Sequence, residues 1–471
     1  MDSPDGQRGR DGGNQRRSPL DVIMNQIRRK RTASDRKPLG RLLSWTSDRT
    51  GIPEDGEAEG KEERGPGSGA AEAAESGRDV GWGRVSLFLQ RLGKKADSSR
   101  LSLAHCDLTA TDLLELATLL QFLPQLEEVD VSWNELIGGS LTALTSHLQH
   151  GAGIRALRLC SCRLSADDIA ALGEALSCAP LLEVLDLSWN GGVGGGGALQ
   201  SLLGNFHPPL RELHLVACQL TAADATLLGG VVSALPRLCV LDVSCNPQLT
   251  QEVDVGGFTA LASSLSHAAS VTTLRFHACG LTPDGLDALG GSLCCLPSVR
   301  ELDLSCNKSL SGGLNRLTVH LVHLTHLESL DLHLCCLTRP DLDALSERGC
   351  LSSLRVLDLS YNGSVGDAGW SSLFSAGGLS SLQDVDLSLR PSTSAPCSAW
   401  LPPLLSALPR LPALTRLAAR RWTVGSQDRK KLSHCLKKRS VLLEWDPPQR
   451  DAGLLFKATN QESPEESRPE E

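Results

Sequence analysis

One six-residue outline recurs from one end of the chain to the other, and it limits the possible folds more than any other feature. Leu185-Asp186-Leu187-Ser188-Trp189-Asn190 has counterparts at Val129–Asn134, Leu241–Asn246, Leu302–Asn307 and Leu357–Asn362. Between these lies a version with Cys in place of the Asn: Leu101–Cys106, Leu157–Cys162, Leu213–Cys218, Leu274–Cys279 and Leu330–Cys335. With an eleventh copy the starts are 101, 129, 157, 185, 213, 241, 274, 302, 330, 357 and 385, so the spacing is 28 residues except for one of 33 and one of 27. A fixed period of this length means stacked equivalent units, each burying its apolar face on its neighbours. Within a unit the apolar residues alternate as in a short strand with one buried side.

The residues after each turn announce a helix. Leu164-Ser165-Ala166-Asp167-Asp168 and Leu220-Thr221-Ala222-Ala223-Asp224 place a hydroxyl at an N-cap with an acid three positions on, a short capping box. Leu113, Leu116, Leu119 and Leu120 follow at helical spacing, and Pro124, Pro180, Pro236 and Pro297 end such helices before the next strand. The Asn-type units carry glycines instead, as at Gly138-Gly139, Gly191 through Gly197 and Gly312-Gly313. Gly191 through Gly197 could be taken for a phosphate loop, but no Gly-Lys-Ser/Thr follows and the glycines recur in sister repeats, so they read as structural.

The period, the L-x-L-x-x-N/C-x-L outline and the alternation of two unit types over 56 residues resemble the ribonuclease-inhibitor class of leucine-rich repeats. The resemblance implies an α/β solenoid, a horseshoe with a parallel sheet on the concave face and helices on the convex face. It also implies a soluble, non-enzymatic interaction protein, and it brings no catalytic residue, metal or cofactor. In that class, aromatic residues on the concave surface engage partners.

Composition sets the surroundings of this array. Residues 1–80 are rich in Gly, Arg, Ser and acids and read as disordered. Within them Ser18-Pro19-Leu20-Asp21, then Ile23, Met24 and Ile27, then Arg28-Arg29-Lys30-Arg31, make a basic amphipathic stretch. It fits a partner-binding helix, a nuclear-import signal or a solvated basic segment. Residues 81–100 read as an N-terminal capping helix, 101–410 as the repeats, 411–446 as a C-terminal cap with a basic outer side, and 447–471 as a disordered acidic tail. Sixteen cysteines without a secretory signal mean free thiols, and the compartment expected is the cytoplasm, with the nucleus as alternative. The net charge of −9 argues against nucleic acid, and no apolar run of membrane-spanning length occurs. The ladder cysteines are expected to be buried and unpaired, and the array to be one sheet, with the longest repeat bulging within Pro247–Ser270.

Candidate binding residues follow from strand geometry. The position between the two apolar strand residues faces the concave side and reads Ser102, Asp130, Arg158, Asp186, His214, Asp242, Arg275, Asp303, Asp331, Asp358 and Asp386. Its first half alternates acid with base, a self-compensated ladder. Asp303, Asp331, Asp358 and Asp386 stand together without a cation, an unfavourable register that calls for an external partner or for neighbours not evident in sequence. The position before the ladder Asn contributes Trp133, Trp189 and Tyr361, aromatic types enriched in binding hot spots, in a chain that is 3% aromatic. Both Trp residues are expected to be accessible if they bind and buried under the glycine loops if they do not. His214, His277 and His333 fall on non-adjacent strands, and no Ser-His-Asp or zinc-type spacing stands out. The expected partner is another protein, gripped through the concave face; the alternative is a nuclear or nucleic-acid-associated protein that binds phosphate through the basic N-terminal segment and the basic C-terminal cap. No enzyme activity, metal or cofactor is expected.

Overall fold

The computed structural model describes Gln90 and residues 99–446, leaving out 121–122, 124, 147, 149–152, 178, 205–208, 252–255, 348 and 350. All described residues belong to the second of two compact units, Ser68–Glu471. Residues 1–80 with their basic amphipathic stretch, the acidic tail and, apart from Gln90, residues 81–98 of the expected capping helix lie outside them.

Each repeat begins with a three-residue strand. In chain order these are β1 (Arg100–Ser102), β2 (Glu128–Asp130), β3 (Ala156–Arg158), β4 (Val184–Asp186), β5 (Glu212–His214) and β6 (Val240–Asp242). They continue with β7 (Thr273–Arg275), β8 (Glu301–Asp303), β9 (Ser329–Asp331), β10 (Val356–Asp358) and β11 (Asp384–Asp386). All eleven start one residue before the expected position. A separate two-stranded pair is formed by β12 (Ala395–Pro396) and β14 (Trp422–Thr423). The segment read as a cap adds two further strands to the main sheet, β13 (Arg416–Ala418) and β15 (Leu442–Glu444), which makes thirteen in sequence order.

The sheet is parallel, and its register is the repeat itself: Leu101 pairs with Val129, Val129 with Leu157, and so on. Leu241 pairs with Leu274 across the 33-residue repeat, so the extra residues leave the stack unbroken. In β2, β4 and β5, for example, only the central residue is buried and its neighbours are half-exposed. The central residue and the one two positions on point away from the concave face, and Leu185, Leu187, Leu213 and Leu215 are fully buried. Helices such as Ala166–Leu176 and Ala222–Ser233 close the core from the other side.

The turn after each strand is held by the Asn/Cys ladder. Asn190 Nδ2 donates to the carbonyls of Leu187 and Ser188 and, in the preceding repeat, Leu159; its Oδ1 accepts from the N–H of Cys162 and Leu164. Cys218 donates its thiol to Leu187 O at 3.3 Å, so the two side-chain types, in alternation, tie each repeat to the one before it. Burial pushes the Cys162 and Cys218 thiols up to about 12. Cys162, Cys218, Cys279 and Cys335 are buried and free. Cys106 departs from expectation: it is half-buried, and its turn follows β1, the edge strand of the sheet.

Two features of the turns were not read from sequence. The residue before the ladder position is left-handed throughout, including Trp133 at φ 63°, Trp189 at 63° and Tyr361 at 62°, a strained conformation for bulky residues. The capping acids also bridge repeats. Asp168 accepts from Ser165 N within its own box and from Gly139 N and Leu141 N of the repeat before. The glycines there permit close backbone approach: a Cβ on Gly194 would lie 2.5 Å from Gln219 O.

Candidate partner-binding face

With the Leu residues turned inward, the first and third residues of every strand share the concave face with the residue two positions further on. The three rows differ between the two halves of the sheet. In the first half, Arg158 pairs with Glu128, His214 lies 3.3 Å from Glu212, and Arg275 bonds Glu301 at 2.8 Å and approaches Asp242 at 3.7 Å. Charge compensation therefore runs mainly through the neighbouring row, rather than along the single ladder expected from sequence. Asp130 and Asp186 are occupied locally, accepting from the N–H of Ser132 and Ser188.

From β8 to β11 the third-position residues are four aspartates in direct register, Asp303 beside Asp331, Asp331 beside Asp358, Asp358 beside Asp386. Each accepts a backbone N–H two residues on, from Ser305, His333, Ser360 and Ser388. Among the described residues neither Asp331 nor Asp358 has an ion-pair partner. Burial, together with the charges of Asp303, Asp358 and Glu301, pushes the Asp331 carboxyl up to about 7 against the pull of the His333 N–H. Asp358 is raised too, by burial first and then by Asp386, while its bonds from Ser360 lower it.

The stripe floors a concavity of about 500 Å³ whose lining includes His277, His333, Tyr361 and, at its far end, Arg416, Arg420 and Arg421. Two histidines missed as site residues are built in identically. Ser305 Oγ donates to Asp303 at 2.5 Å and lies 2.6 Å from His277 Nδ1; Ser360 Oγ donates to Asp358 at 2.6 Å and lies 2.6 Å from His333 Nδ1. A hydroxyl that has given its proton to a carboxylate can only accept from the ring, so Nδ1 carries a proton, and in a neutral ring Nε2 then presents a lone pair. Burial lowers the His333 pKa, which favours that neutral form. Serine stands in the middle of each chain, whereas acyl transfer needs histidine between acid and serine, so no nucleophile is activated here. The only signal in sequence was the placement of His277 and His333 two positions after the last strand residue, with Ser in the facing repeats.

The far end is closed by cations that were expected on an outer side. Arg416 instead faces the cavity and bonds Asp384 at 2.6 Å and Glu444 at 2.7 Å, and reaches Asp386 at 3.5 Å. Arg420 bonds Glu444 at 2.6 Å, and the Arg421 N–H donates to Asp446 at 2.8 Å.

The aromatic candidates divide into two places. Tyr361 lies in the concavity with its ring 4.4 Å from that of His333. Trp133 and Trp189 are on the first half of the rim, two strands apart, and do not line the concavity. Both are half-buried, between the two outcomes expected, and Trp133 stacks on His105 at 5.3 Å. Most of the remaining described tryptophan serves the core: Trp370, Trp400 and Trp422 are buried, with Trp400 and Trp422 edge to face at 5.0 Å. Among the described residues no group of His, Cys, Asp and Glu could hold a metal ion, and no helix is long and apolar enough to cross a membrane.

Comparison with known proteins agrees with this architecture. The Leucine Rich repeat family model matches residues 179–199, 323–346 and 350–374. NACHT, LRR and PYD domains-containing protein 12 of Homo sapiens is 33% identical over 252 residues, 52% of this chain and 23% of that protein. The ribonuclease inhibitor of Sus scrofa is 31% identical over 260 residues, 54% of each chain, and that of Mus musculus 31% over 213 residues, 44% and 45%. The match thus spans about half or less of the length of these relatives. Repeat period, sheet register, Asn/Cys ladder and relatives agree: the chain is a leucine-rich repeat solenoid similar to the ribonuclease inhibitors.

Proposed function

We propose that this chain is a non-catalytic, cytoplasmic scaffold that grips another protein through the concave face, laying a basic segment of it along Asp303, Asp331, Asp358 and Asp386. The observation that carries the reading is the pair Asp331 and Asp358, adjacent in register and without a cation partner among the described residues. Carboxylates and locked Nε2 lone pairs together offer acceptors, so the complementary group is a multiple donor such as a guanidinium or ammonium. Tyr361 supplies an aromatic face beside them, and Trp133 and Trp189 supply anchors further along the rim. Similar proteins named ribonuclease inhibitors support a role in holding another protein. A phosphate-binding alternative loses support at the C-terminal end, where Arg416 and Arg420 are committed to carboxylates.

Fluorescence-detected binding of an Arg/Lys-rich peptide and a Glu-rich peptide of equal length to the full chain tests this. The basic peptide should bind and lose about 10-fold in affinity in the Asp331→Asn/Asp358→Asn variant, as truncated charge pairs typically do. Equal binding of both peptides, or an unchanged affinity in the variant, would sink the reading.

A further inference from the structure

Away from the concave face, two cysteines do not fit the ladder that explains so many others. Cys294 and Cys295 follow the helix Pro283–Leu293, with Cys294 as its C-cap. Both are exposed, alone in this respect among the described cysteines, and neither lines the concavity. Their sulfurs face each other at 3.8 Å. The intervening backbone is fixed, since Cys295 N donates to Ser292 O and Leu296 N to Leu293 O. The two thiols are therefore presented side by side to solvent on a rigid support. By contrast, the ladder thiols of Cys162, Cys218, Cys279 and Cys335 are buried and already donate to carbonyls.

Three outcomes are open to such a pair, and geometry separates them. Direct disulfide formation would require sulfurs at about 2.05 Å and Cα atoms at about 4.4–6.8 Å, whereas neighbours in sequence are held at about 3.8 Å across a trans peptide. A zinc ion would accept this sulfur separation, since Zn–S bonds of about 2.3 Å at a tetrahedral angle span a similar distance. Structural zinc, however, needs four protein ligands, and no third His, Cys, Asp or Glu gathers here among the described residues. A soft three-coordinate centre that brings its own third substituent needs only these two thiols.

We propose that Cys294 and Cys295 form a dithiol site for monosubstituted trivalent arsenicals, with the arsenic bridging the two sulfurs. With an arsenoxide, R–As=O, the two As–O bonding pairs are replaced by two As–S bonds, and both thiol protons leave with the oxygen as one water. Arsenic remains trivalent, so no oxidant or reductant takes part. The hydrogen bond and charge of Cys294 raise the Cys295 thiol, so the exchange, in which sulfur attacks as thiolate, is faster at higher pH.

The test uses the full chain with phenylarsine oxide, read by intact mass after a wash in excess 2-mercaptoethanol and again after 1,2-ethanedithiol. One adduct should survive the monothiol, leave with the dithiol, and map to the peptide that contains Cys294 and Cys295. Cys294→Ser and Cys295→Ser should each abolish the monothiol-resistant adduct while the circular dichroism melt stays unchanged, because both side chains are exposed. An adduct that persists in either variant, maps elsewhere or is released by monothiol would overturn the assignment.

Discussion

The two halves of the concave face share one scaffold and differ in what they leave unpaired. From β2 to β7 the basic residues Arg158 and Arg275 find acids on adjacent strands, and the face is largely self-neutralised. From β8 to β11 four aspartates line up, with Arg275 in register beside the first and Arg416 reaching the last, and the burden falls on Asp331 and Asp358 between them. Ladder, register and turn geometry are the same on both sides of this divide, and aspartates in both halves accept a turn N–H, so the halves differ in charge and not in framework. Like charges in register cost stability, and under the proposed function a basic segment relieves that cost.

The comparison is broken most severely if the scaffold itself differs. Asn190→Ala and Asn362→Ala each strand the same set of buried backbone groups, one in either half. Each should cost about 3–5 kcal/mol in chemical denaturation, since every orphaned buried polar group costs about 1–3 kcal/mol. A large difference between the two would show that the halves are not equivalent frameworks.

Next in size is the pH dependence of Asp331. Its folded value of about 7 lies above the ordinary 3.8, so the folded state holds its proton more tightly than the unfolded chain. The associated stability is present below pH 3.8 and lost as pH rises through 7. Asp331→Asn should therefore gain on the order of 2–3 kcal/mol over the parent above pH 7, allowing for partial exposure, with the gain vanishing towards pH 4. Melting temperatures recorded across that range would check it.

Trp133→Ala should cost about 1–2 kcal/mol, less than a fully buried Trp, because the ring is half-exposed and rests on His105. Trp400→Ala, from the buried cluster, should cost about 3–5 kcal/mol and serves as the reference. The smallest effect belongs to Arg158→Ala, where loss of a partly exposed pair with Glu128 should change stability by about 1 kcal/mol or less.

What could be read from sequence was whatever the period dictates. Leu at fixed spacing gave the strands and their register, because in a stack the repeat length is the pairing offset. Cys162 and its sisters were legible as buried because they share the Asn niche. The two extra strands were not, since Arg416-Leu417-Ala418 and Leu442-Leu443-Glu444 lack the Asn or Cys that marks a turn. The second role of Asp168 and the His277–Ser305 and His333–Ser360 contacts were also hidden. They join residues 27 to 29 apart whose meeting depends on how neighbouring turns lie against each other, and no local pattern encodes that. Of the candidate site, the four aspartates and Tyr361 were legible as one surface; the histidines and the arginine-closed end were not.

Proton release on binding tests the central claim most directly. The basic peptide is titrated into the full chain at pH 7 in two buffers of different ionisation enthalpy, and the heats give the protons exchanged. A cation laid against Asp331 lowers its pKa, so about half a proton per complex should be released, and none in Asp331→Asn. Binding with no proton exchange, or with equal release from the Asp331→Asn variant, would contradict the assignment of the unpaired aspartates as the recognition surface.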